Sequence, residues 1–408
     1  MKRVLVFIFT AMLSLAIASP GFALVNLTKS LSLGINVYTA HYFYHGDKEF
    51  MAKGVPAGQT TLKADAERWE SFSNTTSVMI IRWAMPNYGL VLIPNIDSDK
   101  ESLGVPIAYG YWYITPKLRF QVGKGTSLFS EIQPHAATAG GEQKATGIAY
   151  GNYFTGYNAY ARVQYRIGRG EIKAGIVDPR ATDGIYINTL GFTSNGGKID
   201  NASVIPKFEL AYWYNLPTRA VRAQIQTSAF WQKQTFDNVK GPDNEVVSYG
   251  LGLGLDGDLG PVHVMAEVTY GQNWFNTRGY GYPIMQTFLY YPSLFTNTVS
   301  GCYGGKVDKA GNMQNAKLWA GFIEAGYKIG PARPSLIFGR MSTERSVNGL
   351  KDNVILKEYG VRCPIQVHKN LEISPEFMIF DNGIITVGGK DYDFGKEWSA
   401  GAVFSFRF

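Results

Sequence analysis

The closing stretch KEWSAGAVFSFRF, from Lys396 to Phe408, constrains this chain more than any other segment. Successive side chains of an extended strand point to opposite faces. Trp398, Ala400, Ala402, Phe404, Phe406 and Phe408 therefore share one face, and Glu397, Ser399, Gly401, Ser405 and Arg407 share the other, with Val403 the only large apolar residue among them. Such a strand suits a sheet with hydrocarbon on one side and water on the other. A soluble sandwich strand alternates in the same way, so the rest of the chain has to decide between the two.

The opposite end reads as an export signal. Lys2 and Arg3 precede an apolar run from Val4 to Ile17, followed by Ser19-Pro20-Gly21 and the small-x-Ala sequence Gly21-Phe22-Ala23. These are the parts of a secretory signal peptide, so residues 1–23 are expected to be cleaved and 24–408 to fold. That run is shorter than the roughly 18 residues of a spanning helix, and no other run reaches that length. Mean hydropathy is −0.09, which does not argue against a membrane, because a barrel needs apolar residues on one face only. The 25 Tyr and 24 Phe favour strands over helices, and Tyr and Trp suit the interfacial girdles of a barrel. Lys and Arg are scattered singly, so the net charge of +7 gives nucleic-acid binding little support. Cys302 and Cys363 belong to no CxxC or CxxCH motif, so neither zinc nor c-type haem is indicated.

Tight turns punctuate the mature chain. Gly123 to Thr126, Gly168 to Gly170, Asn215 to Thr218, Asp256 to Pro261, Gly330 to Arg333 and Val367 to Asn370 carry the Gly, Pro, Asn and Asp that turn geometry requires. Reading outward from them predicts sixteen strands, at 29–43, 70–84, 88–94, 105–121, 127–136, 151–167, 170–179, 204–214, 219–235, 246–256, 262–275, 317–329, 334–344, 356–367, 371–380 and 396–408. The loops fall at 45–69, 95–104, 137–150, 180–203, 236–245, 276–316, 345–355 and 381–395. An even number of strands with short turns at one rim and long loops at the other is an all-β, transmembrane antiparallel β-barrel, with both termini at the short-turn rim. Pro94 shortens a strand near the hairpin at Pro86-Asn87, and without that hairpin the count is fourteen.

With its signal peptide, sixteen strands and terminal Phe408, the mature chain resembles the general porins of the bacterial outer membrane. The resemblance implies a Gram-negative outer-membrane location, contact with outer-membrane lipid, and recognition of Phe408 by the barrel assembly machinery. It also implies a homotrimer of water-filled pores, each narrowed by an inserted third loop. No family motif matches residue by residue, so no site is carried over. Here the third loop, 137–150, reads as short and the sixth, 276–316, as the longest, which departs from that pattern.

Alternation also assigns faces. In 219–235, Arg222, Gln224, Gln226, Ser228, Gln232 and Gln234 lie opposite Val221, Ala223, Ile225, Thr227, Ala229 and Trp231. A wet lumen suits that polar row, whereas a soluble barrel would fill its interior with apolar side chains. In 246–256, Ser248 and three glycines share a face, which reads as room left in the lumen. The inward charges are unevenly spread. Arg119, Arg162, Arg166, Lys173, Lys207 and Arg222 lie on one wall, and Glu267, Glu324, Glu358, Glu372, Glu376 and Glu397 on the other. Such a division sets up a transverse field that weights ion selectivity. A bland reading stands beside it, since any wet wall needs charges and Lys328, Arg362, Glu131, Glu171 and Glu209 break the segregation. The sixth loop is apolar for a solvated segment; Tyr280, Tyr282, Phe288, Tyr290, Tyr291 and Phe295 could fold inward as a constriction, latch a neighbouring subunit or pack among themselves.

Other signals carry no chemistry. Gly252, Gly254 and Gly257 match GxGxxG, but they lie within a strand that another strand follows, so no helix N-terminus is available for a dinucleotide. His41 and His45 would stand about 13 Å apart on a strand, too far for one metal. His135, beside Gln133 and Glu131, is the best acid–base candidate, and no GxSxG is present. The expected function is passive diffusion of ions and small hydrophilic solutes, without cofactor or metal. A substrate-selective channel, or a structural or surface-binding barrel closed by loop 276–316, stays open; an outer-membrane enzyme is least favoured.

Overall fold

The computed structural model describes residues 25–26, 28–47, 66–72, 77–97, 102–132, 157–178, 200–216, 221–274, 304–381 and 383–407. Sixteen strands form its wall: β1 (Leu31–Gly46), β2 (Ala66–Phe72 and Ser77–Ala84), β3 (Tyr88–Asp97), β4 (Ser102–Tyr113), β5 (Leu118–Thr126), β6 (Tyr157–Ile167), β7 (Gly170–Val177), β8 (Asp200–Val204 and Lys207–Asn215), β9 (Val221–Asp237), β10 (Glu245–Leu259), β11 (Val262–Gln272), β12 (Lys317–Tyr327), β13 (Ser335–Val347), β14 (Leu350–Arg362, continued by Ile365–His368), β15 (Leu371–Asp381) and β16 (Lys396–Arg407). Each strand pairs antiparallel with the next. β16 returns to β1, from Asn36↔Arg407 to Gly46↔Glu397, and closes the ring. The hairpin at Pro86-Asn87 is present, so the count of sixteen holds.

Burial is inverted relative to a protein folded in water. Leu251 (57% exposed), Val268 and Leu336 stand on the outside, while Lys207 (0%), Glu324 and Glu358 are buried on the inside. Each exposed apolar chain would forgo about 1.5–3 kcal/mol in water; a hydrocarbon surround removes that loss. Exposed aromatics mark the two edges of the apolar band. Trp83, Tyr88, Trp112, Tyr165 and Tyr327 lie near the short turns, and Trp231, Tyr270 and Trp319 lie towards the long loops. Tyr327 and Trp319, both on β12, are about 26 Å apart along the strand, the height of a barrel's lipid-facing band.

The structure corrects the reading of 105–136. The expected strand 105–121 is two strands, β4 and β5, joined at 114–117, where the Thr115 hydroxyl accepts hydrogen bonds from the amides of Lys117 and Leu118. Gly123 to Thr126 is not a turn but the end of β5, paired with β6 up to Thr126↔Tyr157. Gly123 adopts a φ of 147°, and a Cβ there would fall 2.2 Å from the Ala108 carbonyl oxygen, so this glycine serves close strand approach. The expected strand 127–136 is absent from the wall, and its described part, 127–132, turns into the barrel. The connection after β5 therefore begins at 127, ten residues before the third loop expected at 137–150.

Two expected loops also shrink. β13 and β14 meet at Asn348-Gly349, with φ of 53° and 75°, so the loop expected at 345–355 is a two-residue turn. Within 381–395, Ile384–Val387 pairs with Lys390–Asp393 around Gly388-Gly389, whose φ values are also positive. Left-handed residues in pairs give the turn whose twist matches antiparallel strands.

Candidate functional site

Ser127 to Ile132 lie against the inner faces of β8 to β12. The step from β8 to β11 or β12 is about 15–19 Å at the ~4.8 Å strand spacing, a distance that six extended residues can cover. Glu209 of β8 holds the first part of the segment: it accepts hydrogen bonds from the Ser127 hydroxyl at 2.5 Å and the Leu128 amide at 2.8 Å. Lys207 pairs with the same carboxylate at 2.8 Å. The Ser130 hydroxyl donates to Glu267 of β11 at 2.5 Å, and Gln226 of β9 donates to the Leu128 carbonyl. Glu131 receives the Trp213 indole N–H at 2.9 Å and pairs with Lys173 at 3.2 Å. Buried charges demand such partners, and the segment supplies them.

Apolar contacts complete the docking. Phe129 stacks edge-on against Phe230 and Trp274, and Ile132 packs with Met265 and Phe322. Beneath them the inner face of β10 offers only Gly250, Gly252 and Gly254. A Cβ on Gly250 would lie 2.7 Å from the Phe129 ring, and one on Gly254 would lie 2.5 Å from Ile132 Cδ1. The sequence reading took this row as open space in the lumen; the structure corrects it to the bed of the inserted segment.

The basic candidates sit on the inner face with unequal access. Arg162 is buried, lies over the Tyr160 ring at 3.7 Å and donates to Gln121. Arg119 is half-buried, donates to Gln164 and faces the Tyr111 and Tyr113 rings. Arg166 and Arg222 are exposed near the short-turn rim, and Arg166 lies 3.7 Å from Glu171. Lys173 and Lys207 are matched by Glu131 and Glu209, so much of the basic wall is compensated locally.

Of the acidic candidates, Glu267, Glu324, Glu358, Glu376 and Glu397 are buried on the inside and Glu372 is half-buried. Arg362 lies 3.8 Å from Glu324, and Ser374 donates to Glu376. Among the described contacts no basic candidate touches an acidic one. Arg345 and Asp352, which the sequence reading passed over, form a buried pair; Arg345 also donates to the Gly304 carbonyl and Asp352 accepts the Gly388 amide. That pair ties two outer hairpins to the end of the sixth loop.

The inner wall is not uniformly polar. Leu318, Ala320, Ile337, Met341, Val354 and Leu356 form one buried cluster with Phe129 and Trp274. β12 to β14 thus carry an apolar patch on their inner faces in their outer halves, where a wet lumen was expected.

The constriction candidates Tyr280, Tyr282, Phe288, Tyr290, Tyr291 and Phe295 lie outside the described residues, as do His135, Cys302, Phe408 and the signal segment. His41 and His45 pack on Phe404 and Trp398. Gly252, Gly254 and Gly257 lie inside β10 and lead through a turn into β11, so the GxGxxG match has no helix beside it. No group of His, Cys, Asp and Glu suited to a metal occurs among the described residues.

No protein-family model and no curated protein sequence matches this chain. Solved structures share its fold. The outer membrane channel DcaP of Acinetobacter baumannii aligns over 95% of this chain and 100% of its own, with 12% identity and a TM-score of 0.61. An anion-selective porin from Comamonas acidovorans covers 93% of this chain and 99% of its own, at 9% identity and a TM-score of 0.54. OmpF of Salmonella typhi covers 93% and 98%, at 10% identity and a TM-score of 0.52. The fold is that of the outer-membrane porins and channels, a transmembrane antiparallel β-barrel.

Proposed function

We propose that this protein is an outer-membrane porin, a passive channel for ions and small hydrophilic solutes. The observation that carries this reading is the inserted segment 127–132, clamped across polar anchors inside a closed ring that turns apolar residues outward. A segment docked on the inner wall narrows the bore without filling it, so solutes are sieved by width and biased by the charges left facing water. Arg119, Arg162 and Arg166 weight the pore towards anions near the short-turn rim, and the partial compensation of the other charges keeps that bias modest. Export by cleavage after Ala23, assembly through Phe408 and association as a homotrimer complete the proposal.

A second reading draws on the buried cluster of Leu318, Ile337, Met341 and Leu356. It is a barrel whose outer half is shut, with a structural or surface-binding role. Single-channel recording of the refolded protein in a planar bilayer, under salt gradients, separates the two. Stable conductance steps with an anion-leaning reversal potential are expected of the porin. Silence from folded, heat-modifiable protein would reject it, and turnover of lipid or peptide by the same protein would move it to an enzyme.

A further inference from the structure

Arg340 on β13 and Lys357 on β14 are direct antiparallel partners on the lipid-facing side. Below them on the same face stand Phe338, Leu336, Tyr359 and Val361, all exposed. The row continues through Asp381 on β15 to Lys396 on β16. Its one carboxylate is engaged by Lys396 at 3.6 Å. Among the described residues neither Arg340 nor Lys357 has an acidic partner within ion-pair distance. Like charges directly opposite destabilise a ladder, and cations on a lipid-facing wall are costly away from the interface. Asp381 faces Lys357 across the ladder but is shared with Lys396, so the row keeps a net positive charge that an anion from outside the protein would offset.

Three further observations say what. The Arg340 guanidinium lies over the Trp319 ring, 4.8 Å from its centroid, and its Nε is buried without a hydrogen-bond partner. Trp319 belongs to the aromatic girdle on the long-loop side, which places the cations at headgroup level. About 13 Å along the strands towards the short-turn rim, a hollow of about 500 Å³ opens, lined mainly by Leu336, Val361, Pro375, Phe377 and Ala400, with Arg362 and Glu376 also reaching it. A fixed guanidinium fork beside an ammonium matches a phosphate monoester, which carries about −1.5 to −2 charges at neutral pH. An apolar hollow one chain-length away matches an acyl tail. A free anion would use the first feature and not the second.

We propose that this face binds a phosphate-bearing glycolipid of the outer leaflet, with its phosphate between Arg340 and Lys357 and an acyl chain running past Phe338 and Tyr359 into the hollow. The proposal rests on the outer-membrane reading above. The test uses the refolded full chain in detergent, titrated with diphosphoryl lipid A and with the same lipid A stripped of phosphate, with bound lipid counted by native mass spectrometry. The phosphorylated form is expected to bind at least about tenfold more tightly, and the Arg340→Gln/Lys357→Gln variant is expected to lose that preference. Equal affinity for the two lipids, or an unchanged preference in the double variant, would overturn the proposal. Displacement of lipid A by millimolar inorganic phosphate would reassign the site to a free anion and overturn it equally. If the double variant does not fold, Arg340→Lys keeps the charge, removes the fork and is expected to reduce the preference. Lipid counting needs no conductance: a silent barrel that discriminates sustains this proposal and rejects the channel, and a conducting barrel that does not discriminate does the reverse.

Discussion

The bed of the inserted segment offers a direct way to release it. Replacing both Gly250 and Gly254 with valine crowds Phe129 and Ile132, at Cβ separations of 2.7 and 2.5 Å, and at Gly250 also crowds the Phe230 ring of β9 at 2.4 Å. β10 is held in continuous ladders with β9 and β11, so the segment yields rather than the strand. Ordering six residues costs about 6–12 kcal/mol. The hydrogen bonds to Glu209 and Glu267, with those made by Gln226 and Trp213, return a comparable amount. Burial of Phe129 and Ile132 adds about 3–6 kcal/mol. Taking that burial away should therefore weaken docking by about two to four decades, at 1.4 kcal/mol per decade. Single-channel records of the double variant should show a larger main conductance, and liposome swelling should admit larger sugars. Gly110→Ala is the control, because the nearest atom to its added Cβ is the Gly89 carbonyl oxygen at 3.8 Å. An unchanged conductance and size limit in a folded, heat-modifiable double variant would refute the role given to this segment.

Three further outcomes are expected. Arg162→Glu with Arg166→Glu should shift the reversal potential towards cations, and no shift would remove these two side chains from the selectivity of the pore. Deleting 285–300 should raise conductance if the aromatic loop narrows the lumen; an unchanged value would assign it to the surface or to a neighbouring subunit. Gly349→Val forces a β-branched residue to a φ of 75° and should destabilise the barrel by about 1 kcal/mol or more, read as a lower urea midpoint of refolding. An unchanged midpoint would mean the turn rearranges freely.

Most of the architecture was legible because a barrel wall repeats one rule, a polar residue inside and an apolar one outside, and β9 and β16 follow it with few exceptions, among them Phe230, Phe236 and Val403 on the inner face. The reading failed where glycine has two uses. Gly123 and Gly125 look like a turn, and only the approach of Ala108 and Tyr160 shows them to be thin spots in a wall. The true turn at Thr115-Pro116-Lys117 was missed because it carries no Gly, Asn or Asp and sits between the apolar stretches YWYI and LRF. Taking two strands for one and an inserted segment for a strand cancelled in the total, so the correct count concealed the most consequential error. The candidate site was visible only in its polar half. Glu209, Glu267 and Lys207 read as lumen charges, but no local pattern joins them to Ser127 and Ser130, whose partners lie 82 and 137 positions away. The Asn348-Gly349 signal was available in the sequence and went unused.

The seam between β1 and β16 sets the order in which the molecule can be made. Asn36 finds Arg407 only after nearly every other residue has been laid down, and Gly46 waits for Glu397. Until then β1 presents a row of unpaired backbone groups, the template on which strands of separate chains pair into aggregates. No earlier strand relieves that edge, because β2 already occupies its other side. The chain must therefore be kept from pairing with other chains until β16 is in place. A stop anywhere before β16 would leave two raw edges and no means of joining them.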